Sequence, residues 1–96
     1  MTAKVLILVG SSSDLPITEA GRELLKDLRI PFSLRISSAH RTPEALHRIV
    51  ADFEGQGGQA YICVAGMSAH LAGVVAALTL KPVIAVCRIT RASATL

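Results

Sequence analysis

The sequence predicts one α/β domain, a parallel sheet with helices on both faces. Three observations predict it. Apolar runs of strand length alternate with stripes of helical spacing from residue 5 to residue 86. Three of the four strand runs are apolar throughout, as strands covered on both sides must be. Polar clusters follow the first three strands, where a parallel sheet gathers its carboxyl ends on one edge. Strands that alternate with helices need crossover connections, and those make the pairing parallel. A chain of 96 residues has room for one small domain, and a hydrophobic content of 51% suits strands hidden on both faces.

Each element has its own signal. Val5–Val9 is a continuous apolar run ended by Gly10, hence a buried strand. Ile17, Ala20, Leu24, Leu25 and Leu28 recur at helical spacing, with Pro16 in the first turn, where its missing N–H is tolerated. Ile30 and Pro31 end that element. Phe32, Leu34 and Ile36 alternate with Ser33, Arg35 and Ser37, so the second strand buries one face and suits a sheet edge. Thr42 and Pro43 open a second helix as cap and first residue, carrying Leu46, Ile49, Val50 and Phe53 and closing near Gly57 and Gly58. Residues 61–65 form a third strand, the Ala-rich stretch 69–80 a third helix stopped before Pro82, and residues 83–86 a fourth strand.

The first, third and fourth strands are expected inside the sheet, in a flavodoxin-like order 2-1-3-4. An all-apolar fourth strand then asks for another neighbour, because an open apolar edge invites association. Residues 88–96 show neither strand alternation nor a helical stripe. The expectation is that the chain is incomplete or that another subunit covers this edge.

Charge and composition exclude several classes. Lys81, Arg88 and Arg91 account for the formal excess of +3, so residues 1–80 are formally neutral. A nucleic-acid binder needs basic charge on its folded body and aromatic platforms, and aromatics are 3% here. No run is long enough to cross a bilayer, and the apolar stretch near Met1 is too short for a secretion signal. Cys63 and Cys87 sit in apolar runs without CxxC spacing, which points to a reducing compartment, the cytoplasm. The three histidines and two cysteines lack metal-ligand spacing.

The chemistry gathers in the clusters GSSSD (residues 10–14), SSAHRTP (37–43) and AGMSAHLAG (65–73). Each opens a helix, and helix amino termini present unpaired N–H groups and partial positive charge to anions. Ser11 and Ser13 can donate to a phosphate, and Asp14 can accept from a sugar hydroxyl, although Ser13 or Asp14 also suits a plain helix cap. Arg41 offers a planar fork of donors, and His40 titrates near neutrality and can shuttle a proton. His70 falls in the first turn of its helix, where the dipole favours a neutral imidazole. Gly66 and Gly73 let the backbone approach a ligand or a neighbouring element closely. His47 reads as surface and Cys63 as core. GSSSD is neither a phosphate-binding P-loop nor GxGxxG, and nothing matches GxSxG.

The ordered set GSSSD, SAHRTP and AGxSAHLxG, followed by Pro82, Val83 and Ile84, resembles the PurE family of purine biosynthesis over residues 4–87. That family comprises N5-carboxyaminoimidazole ribonucleotide mutase and the related aminoimidazole ribonucleotide carboxylase. The resemblance implies a three-layer flavodoxin-like fold, an octamer with active sites at subunit junctions, and a phosphoribonucleotide substrate. It implies carboxylate migration from the exocyclic nitrogen to the ring carbon without metal, biotin or nucleotide cofactor. By the same resemblance Ser11, Ser13 and Asp14 hold the ribose phosphate end, Ser38 and Arg41 complete the grip, and His40 is the general acid/base. His70 matches the histidine of the family's AHLPG segment and lines the carboxylate and base region, with Gly66 and Leu71 counted among the substrate-binding residues.

Arg41 and His70 together favour the mutase over the direct carboxylase. Met67 stands where the family prefers glycine, and Ala72 and Cys87 replace prolines. A PurE-like domain is therefore expected over 1–87 and a divergent tail over 88–96, without the family's last strand and carboxyl-terminal helices. The alternatives to an active mutase are a catalytically silent, truncated module that binds a phosphoribonucleotide or oligomerises, and a direct aminoimidazole ribonucleotide carboxylase.

Overall fold

A computed structural model of the chain describes residues 2–37, 43–65 and 70–87. Its elements are β1 (Val5–Val9), a 3-10 segment (Ser12–Thr18), α1 (Glu19–Asp27), β2 (Phe32–Ile36), α2 (Pro43–Gly55), β3 (Ala60–Ala65), α3 (His70–Leu78) and β4 (Val83–Cys87). The four strands form one parallel sheet in the order β2-β1-β3-β4, the flavodoxin-like order that the alternation predicts.

Side-chain alternation divides the core in two. Leu6, Leu8, Tyr61 and Cys63 point to one face and pack with Leu46, Val50 and Phe53 of α2 and Leu71, Ala72 and Val75 of α3. Ile7, Val9 and Val64 point to the other, where Leu15 and Leu25 reach them. Each such aliphatic side chain taken out of water contributes about 1.5–3 kcal/mol, so the α2–α3 face carries most of the stabilisation. Leu24 of α1 and Leu28 just after it stay exposed, which leaves the predicted stripe of that helix only partly used.

β4 ends the sheet among the described residues, and Ile84 is 55% exposed, which is the open apolar edge that the order 2-1-3-4 implies. One expectation needs correction. The first helix starts later than its periodicity suggests. Pro16 lies in the 3-10 segment, and the Glu19 N–H bonds back to the Pro16 carbonyl, three residues away, before α1 begins. Lacking an N–H, Pro16 cannot make the i→i−4 bond that would continue an α-helix through it.

Both α1 and α2 end by the same device. Gly57 adopts φ +96° while its N–H bonds the Glu54 carbonyl at 3.1 Å and the Gly58 N–H bonds the Phe53 carbonyl at 2.9 Å. Arg29 takes the equivalent position after α1 at φ 58°, with Arg29 N–H to Lys26 carbonyl at 3.0 Å and Ile30 N–H to Leu25 carbonyl at 2.9 Å. These paired bonds are the Schellman closure, which satisfies the last helical carbonyls through one left-handed residue.

Candidate functional site

The carboxyl edge of the sheet is assembled by backbone hydrogen bonds that run past the strand ends. The Ser37 N–H donates to the Val9 carbonyl at 2.9 Å, and the Gly10 N–H donates to the Val64 carbonyl at 3.0 Å. Strand register continues one step beyond Val9↔Ile36 and Val9↔Val64 and sets Ser37, Gly10 and Ala65 side by side. The three polar clusters thus leave the sheet at neighbouring points on one rim. Topology alone does this, since the residues are far apart in sequence.

The first cluster is described in full. Ser11 is extended (φ −156°, ψ 164°) and stands in the capping position of the 3-10 segment, yet its side chain makes no capping bond. Its hydroxyl lies 2.6 Å from the Ser13 hydroxyl and donates to Asp14 Oδ2 at 3.3 Å. A hydroxyl has one hydrogen, so the order of donation is Ser13 to Ser11 to Asp14. The Ser11 hydroxyl therefore serves this chain of donors and not the cap. To hold a phosphate, both hydroxyls turn outward. Asp14 is only 4% exposed, and a Cβ placed on Gly10 would stand 3.9 Å from its Oδ2 and 3.8 Å from Ala65 Cβ. The carboxylate therefore rests over Gly10, at ordinary van der Waals distance from where a side chain would begin.

His70 begins α3 and is exposed, which puts it at the helix start expected for it. Leu71 is buried in the α2–α3 core, so its side chain supports the helix rather than facing a ligand. Ser38, His40, Arg41 and Gly66 lie outside the described residues. The predicted core role of Cys63 holds: burial pushes its thiol up to about 11, which keeps it protonated and unreactive at neutral pH.

Sequence reasoning passed over two features. Ser37 is 6% exposed, and its Oγ has no hydrogen-bond partner among the described residues. The alternation of β2 was the signal, since it puts Ser37 on the side of Ser33 and Arg35. The second feature lies on the opposite edge, where Glu54 Oε2 accepts from Tyr61 OH at 2.6 Å and from the Thr79 hydroxyl. The Thr79 hydroxyl in turn accepts the Lys81 N–H at 3.0 Å. The Thr79 and then the Tyr61 hydroxyls hold the Glu54 carboxyl below its ordinary value of 4.5. Burial and the neighbouring carboxylate keep Tyr61 protonated. A groove of about 460 Å³ runs beside β2, lined in part by Thr2, Pro31, Ser33, Arg35 and Asp52, and includes none of the rim residues.

Similarity to known proteins agrees with the fold. The family model described as AIR carboxylase matches residues 4–95, a match that runs on past Cys87. A probable N5-carboxyaminoimidazole ribonucleotide mutase of Methanobrevibacter smithii is 48% identical over 86 residues, covering 90% of this chain and 25% of that protein. The N5-carboxyaminoimidazole ribonucleotide mutase of Methanocaldococcus jannaschii is 48% identical over 82 residues, covering 85% of this chain and 50% of that one. A crystal structure of Treponema denticola PurE superposes with a TM-score of 0.85 at 34% identity, covering 92% of this chain and 56% of that chain. The chain spans half or less of the length of these two curated relatives. With the topology, the motif order and the family match in agreement, this chain belongs to the AIR carboxylase family.

Proposed function

We propose that this chain performs, or forms part of, the N5-carboxyaminoimidazole ribonucleotide mutase step of purine biosynthesis. The observation that carries the reading is the rim itself: Ser37 N–H on the Val9 carbonyl and Gly10 N–H on the Val64 carbonyl bring the three clusters to adjacent strand ends. Beside them, a relative named as that mutase is 48% identical.

In this reading Ser11, Ser13, Ser38 and Arg41 hold the phosphate of the ribonucleotide, and Asp14 accepts from its ribose. The N–carboxylate bond breaks and a carbon–carbon bond forms at the ring carbon. His40 takes the proton displaced from that carbon and returns one to the exocyclic nitrogen. His70, with Gly66 and the backbone of Leu71, lines the base and carboxylate end. The reaction assigned here draws on side-chain acid–base chemistry and needs no cofactor. The proposed working form is a homo-oligomer in the cytoplasm, with active sites at subunit junctions. Among the described residues no helix is long and apolar enough to cross a membrane.

A second reading, a silent module that binds a ribonucleotide without turning it over and associates through an apolar edge, draws support from β4, which ends the sheet among the described residues. Turnover of N5-carboxyaminoimidazole ribonucleotide by the purified chain separates the two. The mutase reading expects activity that His40→Asn abolishes. An inactive chain that still binds the ribonucleotide favours the module, and an inactive chain that binds nothing ends both.

A further inference from the structure

We infer that Ser37 is a further substrate-binding residue of this rim, one that reads a sugar hydroxyl through its own side chain. The inference rests on the proposed function and adds a residue to its ligand site.

Ser37 follows the last residue of β2, and its backbone is fixed by the 2.9 Å bond to the Val9 carbonyl. Strand alternation and register place its side chain on the side of Leu6 and Leu8, next to Gly10. The Asp14 carboxylate occupies that same side of Gly10. The rim therefore has a floor of two buried polar side chains of complementary type, an acceptor-only carboxylate and a hydroxyl that donates. The exposed hydroxyls of Ser11 and Ser13 stand outside that floor.

A buried hydroxyl without a partner is unusual and calls for an explanation. Here Ser37 Oγ has none among the described residues, while Leu6 and Leu8 on the same face are packed into the core. A sugar hydroxyl fits both groups at once, since it gives its hydrogen to Asp14 and accepts the one from Ser37. A phosphate oxygen does not, because it would meet the Asp14 carboxylate as a second acceptor. The phosphate thus belongs with the outer serines and the sugar with the floor. Rotation of Ser37 about its one side-chain torsion, between staggered positions, carries the hydroxyl toward the ligand side.

The test is calorimetric titration of the 96-residue chain and its Ser37→Ala variant with ribose 5-phosphate and, separately, inorganic phosphate, alongside thermal melts. The inference expects Ser37→Ala to weaken ribose 5-phosphate about tenfold, leave inorganic phosphate unchanged and leave the melting temperature equal or higher. Ser37→Thr, which keeps the hydroxyl, should retain most of the sugar-phosphate affinity. Unchanged ribose 5-phosphate affinity in Ser37→Ala overturns the inference. So does a lowered melting temperature with both affinities reduced together, the signature of a structural hydroxyl. A wild-type chain that binds neither probe overturns the proposed function itself, and this inference with it.

Discussion

The amino edge and the carboxyl edge of this sheet use similar side chains to opposite ends. At the amino edge the Glu54 carboxylate takes hydrogen bonds from Tyr61 and Thr79, and Thr79 is bonded in turn by the Lys81 backbone. The Phe53 and Tyr61 rings meet edge to face at 5.0 Å, and Phe53 lies directly against Gly58. At the carboxyl edge the serines bond one another, and Ser37 has no partner among the described residues. Polar groups that satisfy one another join α2, β3 and the loop after α3 into one unit. At the strand ends the Ser37 hydroxyl is left without a partner among the described residues. Under the proposed function, stability sits at one edge and recognition at the other.

The largest test of that division is Gly58→Ala. A Cβ there would come within 2.4 Å of the Phe53 ring, so the ring and the α2 ending must move. The expected loss is about 3 kcal/mol, read as a lower urea midpoint, with partial recovery in the Gly58→Ala, Phe53→Leu double variant. An unchanged midpoint would remove Gly58 and Phe53 from the stabilising edge.

Tyr61→Phe should cost about 1–2 kcal/mol at neutral pH, because Glu54 loses one of two charge-assisted donors. The cost depends on pH in a definite direction. Glu54 has a lowered folded-state pKa, so its stabilising contribution is complete above its ordinary value of 4.5 and is lost as pH falls through the folded value. Unfolding free energies should therefore separate wild type from Tyr61→Phe at neutral pH and converge in acid. Parallel curves would show that the carboxylate is not the group that Tyr61 supports.

The smallest expected effect on stability is at the other edge. Ser11→Ala removes an exposed hydroxyl and should shift the unfolding free energy by no more than about 0.5 kcal/mol. Ribonucleotide affinity should nevertheless fall several-fold. A large stability loss there would erase the contrast between the edges.

The alternating runs made the topology legible, and the positions of GSSSD, SSAHRTP and AGMSAHLAG after strands made the rim legible too. Ser37 and the Glu54–Tyr61–Thr79 cluster were not, for a physical reason. Burial and hydrogen bonding of single side chains depend on which elements meet, and Glu54 and Thr79 are 25 residues apart. The apolar sequence of β4 likewise could not report that nothing described lies beyond it.

Periodicity, helix-ending residues and the order of the polar clusters determined the element sequence and the parallel sheet, because each acts through local backbone geometry. Tertiary structure alone decided that Asp14 rests over Gly10, that Ser37 stands beside it, and that Leu71 belongs to the core. Those facts follow from register and packing between distant segments, which no local pattern encodes.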